Sequence, residues 1–369
     1  MEKQYHAVAI VPAYNEQDII RQTIESLMVQ TYQFDYVLVV ANNCTDSTVS
    51  IVESLLEKYE NEKLCMVVME KNPGLKAGAL NYGLSLVDSN IDFVFTMDGD
   101  TIVHEDIVRA GLEKFRREPT TGGICSAYRT MPLKETATRW QRFLWRAQNI
   151  EFSLANAWRV ENFDSARVLP GVATMFRMAA LQCVKQYHQQ QGLGDNIVWV
   201  PGCQVEDYLL TVQLKDLGWG TKSSHDMVSW SDVPLKLNGP GGLWRQRRRW
   251  YSGTIDVLRE RKLKKNSRYE LFTISLLMVN LCMRWLLVAS YIALVIIGRP
   301  IELIPIFLLL PVVAIVMQLY RLKKFGDQLD RWQYLFTATL VVNELYAAYR
   351  EILYAYSIWL SYRRPKRSW

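Results

Sequence analysis

The chain has 369 residues, enough for one large domain or two ordinary ones, and 50% of them are hydrophobic. Its six cysteines are scattered without a Cys-x-x-Cys pair, which argues against a zinc site or a disulfide framework and fits a reducing compartment. The net charge is +6, but most of the basic clusters lie beside apolar segments, which favours a membrane surface over a nucleic-acid partner.

Short apolar runs alternate with helical stretches in the N-terminal part of the chain. The predicted strands are Val8–Val11, Tyr36–Val40, Leu64–Met69 and Phe93–Met97, and the predicted helices are Asn15–Gln30, Ser47–Tyr59 and Leu75–Leu86. This alternation predicts an α/β fold with a mostly parallel sheet. Ligands bind at the carboxyl ends of the strands in such sheets, and three polar segments fall there: Pro12–Glu16, Asn42–Asn43 and Asp98–Asp100.

Two later stretches, 138–160 and 240–265, combine tryptophan with arginine. In the first, the apolar residues follow helical spacing. The helix either packs in the core with one solvated face or lies at a membrane interface, where both residue types are favoured.

The C-terminal part is much more apolar and predicts a membrane region. We expect a cytoplasmic domain at 1–265, since Met1–His6 lacks the apolar core of a signal peptide, followed by membrane elements at 266–369. The segments 271–297 and 301–320 are long enough to span a bilayer, which predicts a multi-pass protein of the cell membrane.

A third membrane element is expected at 334–362, and its path is open. It contains Asn343, Glu344, Arg350 and Glu351, and a third full span would place the basic Arg363–Arg367 outside. Either the segment lies in or re-enters the membrane, or its charges pair inside a helical bundle.

Asp98-Gly99-Asp100 is the first candidate for chemistry. Two carboxylates at a strand end, separated by a glycine that permits a tight turn, can bind a hard divalent cation such as Mg²⁺ or Mn²⁺. Such a cation neutralises a diphosphate as it leaves. Taken alone, the motif is equally consistent with a simple turn.

Further segments in series give the motif its context. They are Val11–Glu16, Asn42–Ser47, Lys71–Asn81, Gly171–Arg177, Val205–Asp207 and Gln246–Trp250. Together they resemble the family 2 glycosyltransferases, in the branch of the hyaluronan, chitin and cellulose synthases. The resemblance covers about residues 7–258 and implies a GT-A, Rossmann-like catalytic domain.

The resemblance implies a donor site for a nucleotide sugar, with UDP as the expected nucleotide. The loop that would hold the uridine and ribose contains Pro12, Ala13, Tyr14 and Glu16. Asn42 stands where relatives carry an aspartate that accepts a hydrogen bond from uracil, a bond that an amide oxygen can also accept. Lys76 would contact the donor phosphates, and Asp98 and Asp100 would contact the donor and the metal.

The acidic pair Glu206-Asp207 resembles the family's catalytic carboxylates. Asp207 would be the base that deprotonates the acceptor hydroxyl in an inverting transfer, and Glu206 would orient it. The alternative for both residues is that they cap the helix that follows.

Gln246, Arg249 and Trp250 match a Q-x-x-R-W element that lies over donor and acceptor in the resembling enzymes. Arg249 would stabilise the leaving diphosphate and Trp250 would stack on the acceptor sugar. Arg247 and Arg248, at the variable positions, are expected to face lipid headgroups. Gly171 begins the acceptor-side segment, and Ser231–Pro234 stands in place of the usual T-E-x-P stretch.

The sequence thus predicts a metal-dependent hexosyltransferase that moves sugar from a UDP-sugar to a glycan acceptor, with processive polysaccharide synthesis as one form. Transfer of one sugar to a lipid or protein and an inactive membrane scaffold are the alternatives. The expected partners are the donor, a glycan or lipid-linked acceptor, the bilayer and a second copy of the chain; no nucleic acid is expected.

Overall fold

The computed structural model describes residues 5–59, 63–261, 264–298, 305–326 and 329–363. The chain forms two compact units. The first comprises Met1–Pro132 and Trp158–Val233, and the second comprises Leu133–Ala157 and Pro234–Ser368. Both units are therefore assembled from two separate stretches of sequence.

The first unit is built on an eight-stranded mixed sheet with strand order β3-β2-β1-β4-β7-β6-β8-β5. The strands are β1 (Ala7–Ala13), β2 (Tyr36–Asn42), β3 (Leu64–Met69), β4 (Phe93–Met97), β5 (Thr101–Val103), β6 (Thr121–Thr130), β7 (Ala173–Arg177) and β8 (Gly220–Ser231). The first four strands are parallel, as predicted, whereas β7 runs antiparallel to β4 and β6.

The helices are α1 (Ile20–Met28), α2 (Thr48–Lys58), α3 (Leu75–Ser85), α4 (Ile107–Arg117), α5 (Arg139–Glu161), α6 (Met178–Gln190), α7 (Glu206–Asp216), α8 (Leu243–Arg261), α9 (Lys265–Ile297), α10 (Pro305–Phe325), α11 (Arg331–Ala338) and α12 (Leu340–Arg363). The predicted α/β fold is confirmed. The helix predicted at Asn15–Gln30 begins later, because Asn15 has a positive φ of 56° and the Glu16 carbonyl oxygen first accepts turn bonds from Ile19 and Ile20.

The sheet is covered on both faces, which explains why its strands read as continuous apolar runs. Along β1, Ala7, Ala9 and Val11 face one core cluster. The alternate residues Val8 and Ile10 face the other. Because β1, β2 and β4 are parallel, their carboxyl ends lie at one edge of the sheet.

The second unit is helical and contains the C-terminal segments. Among the described residues, one segment, Lys265–Leu286, is long and apolar enough to cross a membrane, so the predicted multi-pass arrangement is not confirmed. Part of the predicted span 301–320 lies outside the described residues, as do 364–367 and the side chains of 343 and 344. Arg284 of α9 forms a two-pronged ion pair with Glu351 of α12, at 2.9 and 3.2 Å.

Candidate active site

Three strand ends of the first unit carry polar side chains, as the parallel topology requires. Glu16 follows β1, Asn42 ends β2, and Asp98-Gly99-Asp100 connects β4 to β5. The glycine permits a close approach there, because an added Cβ would lie 3.1 Å from the Glu16 Cγ atom and 3.3 Å from the Pro12 carbonyl oxygen. The turn and the loop after β1 are therefore in direct contact.

Lys76, in the first turn of α3, reaches the carboxylates. Its ammonium pairs with Asp98, and its Nζ atom lies 3.8 Å from Glu206 Oε1. Burial alone would lower the pKa of Lys76, but the charges of Asp98 and Glu206 outweigh it and raise that pKa above its usual value. Gly171 lies against the same ammonium, and a Cβ at this position would collide with Lys76 Nζ.

The acids around this lysine exceed the positive charge that it supplies. Burial, followed by the charge of Asp98, raises the pKa of Asp100 to about 7. Burial, followed by the charges of Asp100 and Asp98, raises the pKa of Glu16 to about 8. Carboxylate oxygens are the donors that a hard divalent cation takes, so the residue types present fit such an ion.

A second set of potential ligands, His104, Glu105 and Asp106, lies before α4. Asp106 already accepts hydrogen bonds from Thr31 at 2.7 Å and Arg109 at 2.8 Å, and the other two residues are exposed. We therefore assign no ion to this group.

Asp207 lies in the first turn of α7, and its Oδ1 accepts a 2.7 Å bond from the Tyr208 amide. One carboxylate oxygen of Asp207 thus accepts a bond from a backbone amide in the first turn of the helix, as the capping alternative requires. The other carboxylate oxygen takes no part in that bond. Burial, followed by the charge of Glu206, raises the pKa of Asp207 to about 6, while Lys76 acts in the opposite direction. Asp207 is therefore ionised at neutral pH and basic enough to accept a proton.

Lys76, Glu206 and Asp207 line one pocket with several side chains that the sequence did not single out, whereas Glu16, Asn42, Asp98 and Asp100 are not among its lining residues. Its lining residues are Pro12, Lys76, Leu80, Thr96, Met97, Leu169, Pro170, Gly171, Phe176, Trp199, Glu206 and Asp207. Trp199 is fixed by Asn81, whose Oδ1 accepts from the Trp199 amide at 3.0 Å and whose Nδ2 donates to the Trp199 carbonyl at 2.7 Å. Periodicity gave no signal for this contact, because α3 and Trp199 are far apart in sequence.

Asn42 takes part in an amide pair. Its side chain is 4% exposed, and its Oδ1 accepts a 2.8 Å bond from Asn72 Nδ2. Asn72 in turn uses its own Oδ1 to accept from the Gly74 amide at 2.9 Å. The predicted ribose contact Tyr14, which directly follows β1, is exposed.

Gln246, Arg249 and Trp250 lie on α8 in the second unit, whereas the other predicted site residues lie in the first. Arg249 is exposed. Arg247 is 2% exposed, so the prediction that it faces lipid headgroups is wrong. Its guanidinium lies 2.9 Å from Glu151 Oε2, bonds Gln246 Oε1 at 3.0 Å and lies 4.2 Å from the centre of the Trp250 ring.

This arginine is part of a buried network that spans three helices. Glu151 of α5 also accepts a 2.7 Å bond from the Tyr346 hydroxyl of α12. Burial alone would raise the pKa of Glu151, but the charge of Arg247 outweighs it and lowers that pKa. Arg247 therefore holds Gln246 and one face of Trp250 in place.

Comparison with known proteins gives a consistent picture. Residues 8–184 match the family model described as Glycosyl transferase family 2. Poly-beta-1,6-N-acetyl-D-glucosamine synthases of Staphylococcus aureus and Staphylococcus epidermidis are 26% and 25% identical over 252 residues, 68% of this chain and 54% of theirs. The chain thus spans about half the length of these curated relatives.

Among solved structures, a mannosyltransferase from Pyrobaculum calidifontis in complex with GDP-Man and Mn2+ has a similar fold. It matches with a TM-score of 0.58 and 18% identity, over 98% of this chain and 89% of that chain. At this identity the likeness shows the fold alone.

Proposed function

Because the chain belongs to the family 2 glycosyltransferases and has their GT-A fold, we propose that it transfers a sugar from a nucleotide sugar to a glycan acceptor with inversion at the anomeric carbon. The observation that carries the proposal is the pocket of the first unit. There a lysine paired with Asp98 lies beside a buried aspartate whose pKa is raised to about 6. A simple turn or a helix cap would need neither feature.

The donor diphosphate would lie against Lys76 and the Asp98-Gly99-Asp100 turn. Asp98 and Asp100 would hold a divalent cation, which supplies positive charge to the leaving diphosphate. Lys76, now paired with Asp98, would give a second positive charge to the phosphates. The missing Cβ of Gly171 leaves the lysine room to do so.

Asp207 would act as the base. As the acceptor hydroxyl oxygen attacks the anomeric carbon, its proton passes to the Asp207 carboxylate and the bond from that carbon to the diphosphate breaks. Glu206 contributes to the raised pKa that makes Asp207 suitable, since its charge disfavours a second negative charge beside it.

Arg249 and Trp250 belong to the second unit, and the roles that the Q-x-x-R-W element implies for them, toward the leaving group and the acceptor sugar, stay a prediction. The buried contacts of Arg247 support this role for Trp250, because an indole held on one face is a preorganised stacking surface. Attachment to a membrane is supported by Lys265–Leu286.

The relatives narrow the sugars to test. The staphylococcal enzymes are named for a polymer of N-acetyl-D-glucosamine, which favours this sugar and chain extension. Single-sugar transfer, which the sequence leaves open as an alternative, is the second candidate.

The test is the full chain, purified in detergent, incubated with a panel of UDP- and GDP-sugars and glycan acceptors in the presence of Mn²⁺. We expect transfer from UDP-N-acetylglucosamine, with product length separating chain extension from single transfer. Donor hydrolysis and transfer that are both absent with every sugar, in protein shown to be folded, would refute the proposal.

A further inference from the structure

Thr211 lies on α7, one helical turn after Asp207, and is fully buried. Its hydroxyl oxygen lies 2.6 Å from the Asp207 carbonyl oxygen and 2.9 Å from the Leu169 amide nitrogen. A carbonyl can only accept and a backbone amide can only donate, so the single hydroxyl proton goes to Asp207 and the oxygen accepts from Leu169. One side chain thus connects the backbones of two residues that line the pocket of the first unit.

Only the second of these bonds is unusual. A threonine within a helix commonly donates to the carbonyl oxygen four residues earlier, and that bond alone indicates no function. The bond from Leu169 is different, because this residue lies 42 positions away in the sequence and both bonded groups are buried. A buried network in which every polar group is satisfied restricts the relative movement of the elements that it joins. Thr211 therefore fixes the first turn of α7 to the segment 169–171.

The segment 169–171 is held at a second point and contacts Lys76. The Pro170 carbonyl oxygen accepts a 2.8 Å bond from the buried Thr174 hydroxyl of β7. At Gly171, an added Cβ would collide with Lys76 Nζ. The segment is therefore a fixed wall of the pocket, anchored to the sheet and in contact with the lysine that is expected to bind the donor phosphates.

We propose that Thr211 is a positioning residue for the transfer reaction, because its hydroxyl holds Asp207 at a fixed place relative to the wall 169–171 and Lys76. The inference rests on the proposed function, in which Asp207 is the base. Thr211 is not among the residues that line the pocket, so it acts through Asp207. A base must lie within hydrogen-bond reach of the hydroxyl that it deprotonates, and a displacement of about 1 Å can reduce the rate by about 10²-fold.

The test compares Thr211→Val, which keeps the shape of the side chain and removes the hydroxyl, with Thr211→Ser, which keeps the hydroxyl. Both are measured in the full chain in detergent with Mn²⁺, with UDP-N-acetylglucosamine or whichever donor of the panel gives the most product. We expect kcat to fall about 10- to 100-fold in Thr211→Val and to stay within about threefold in Thr211→Ser. The dissociation constant of the matching nucleoside diphosphate should change less than about twofold in both, because the donor contacts are intact.

A third substitution covers the case in which the valine variant does not fold. The thiol of Thr211→Cys is a weaker donor and acceptor than a hydroxyl, so its kcat should lie between those of the serine and valine variants. Its melting temperature shows whether the protein is folded. A kcat equal to that of the unmodified protein in this variant would count against the inference.

A double variant separates positioning of the base from a general effect on the fold. Asp207→Asn has no base to position, so adding Thr211→Val should reduce its residual turnover by less than about twofold. Thr221→Val is the matched control, because it removes another buried hydroxyl of the first unit, which donates to the Ala166 carbonyl oxygen at 2.8 Å and lies outside the pocket lining. The control should leave kcat unchanged.

The possible results are distinct. An equal loss of kcat from Thr211→Val with and without the Asp207 carboxylate would overturn the inference, as would a loss of the same size in Thr221→Val. An unchanged kcat in folded Thr211→Val would overturn it while leaving the proposed function intact. If the unmodified, folded protein transfers sugar from no donor of the panel, the proposed function fails and this inference fails with it.

Discussion

Each unit contains half-buried acidic side chains, and their pKa values are shifted in opposite directions. In the first unit, the pKa of Asp100, Asp207 and Glu16 is raised, because burial and neighbouring carboxylates outweigh the charge of Lys76. In the second, the pKa of Glu151 is lowered, because Arg247 outweighs burial. One unit holds uncompensated negative charge and the other a balanced network.

This difference separates chemistry from architecture. Acidic side chains without a compensating positive charge lower the stability of a fold, so a site that retains them is one that binds a cation or takes up a proton. A balanced buried pair needs no ligand, and breaking it leaves one charge buried alone. We therefore expect changes to the acids of the first unit to reduce activity without reducing stability, and changes to the Glu151 network to reduce stability.

Removal of the metal should give the largest effect. A bound cation stabilises the leaving diphosphate by several kcal/mol, so excess chelator should reduce transfer by about 10⁴-fold, and added Mn²⁺ should restore it. Asp100→Asn should reduce transfer by a similar factor at a fixed Mn²⁺ concentration, and it should not lower the melting temperature. Full activity in excess chelator would remove Asp98 and Asp100 as ligands.

Asp207→Asn should reduce kcat by about 10³-fold, since the amide cannot accept the acceptor proton. Donor binding and melting temperature should be unchanged, because one buried charge is removed and the bond from the Tyr208 amide can still be accepted by the amide oxygen. Turnover with nucleotide-sugar donors measures kcat, and calorimetry measures donor binding and the melting temperature. Asp216→Asn, at the other end of α7, is the matched control.

Arg247→Met tests the second unit. It removes one charged hydrogen bond from the half-buried Glu151, which keeps Arg350 and Tyr346 as neighbours, so we expect a loss of about 1.5–3 kcal/mol of unfolding free energy and a melting temperature lower by several degrees. Arg248 is at the next position and has no ion pair among the described residues, so Arg248→Met should change the melting temperature little. The double variant with Glu151→Gln should recover much of the loss, and failure to do so would break the contrast between the units.

The sequence predicted the frame of the first unit well, for a physical reason. The strands β1, β2 and β4 are buried on both faces, so their apolar runs are unambiguous, and the parallel topology puts their polar ends at one edge. Local pattern therefore located Glu16, Asn42 and Asp98 together.

What the sequence missed depends on partners far away in the chain. The run around Arg247 reads as a solvated basic stretch, and its burial depends on Glu151 in another helix. Similarly, Asn42 is paired with Asn72, and Trp199 reaches the pocket through Asn81. No periodic pattern encodes such pairings.

The pH dependence of transfer should give the smallest effect and the sharpest check on the first unit. Asp207 must be ionised to act as a base, and its pKa is about 6, so kcat/KM should fall about tenfold per pH unit below pH 6 and level off above pH 7. Lys76 lowers that pKa, so Lys76→Met should move the midpoint of the profile to higher pH, whatever it does to the rate itself. The residual activity of Asp207→Asn should lack this limb. If the midpoint stays in place in Lys76→Met, the lysine and the base are not coupled, and the charge balance assigned to the first unit is wrong.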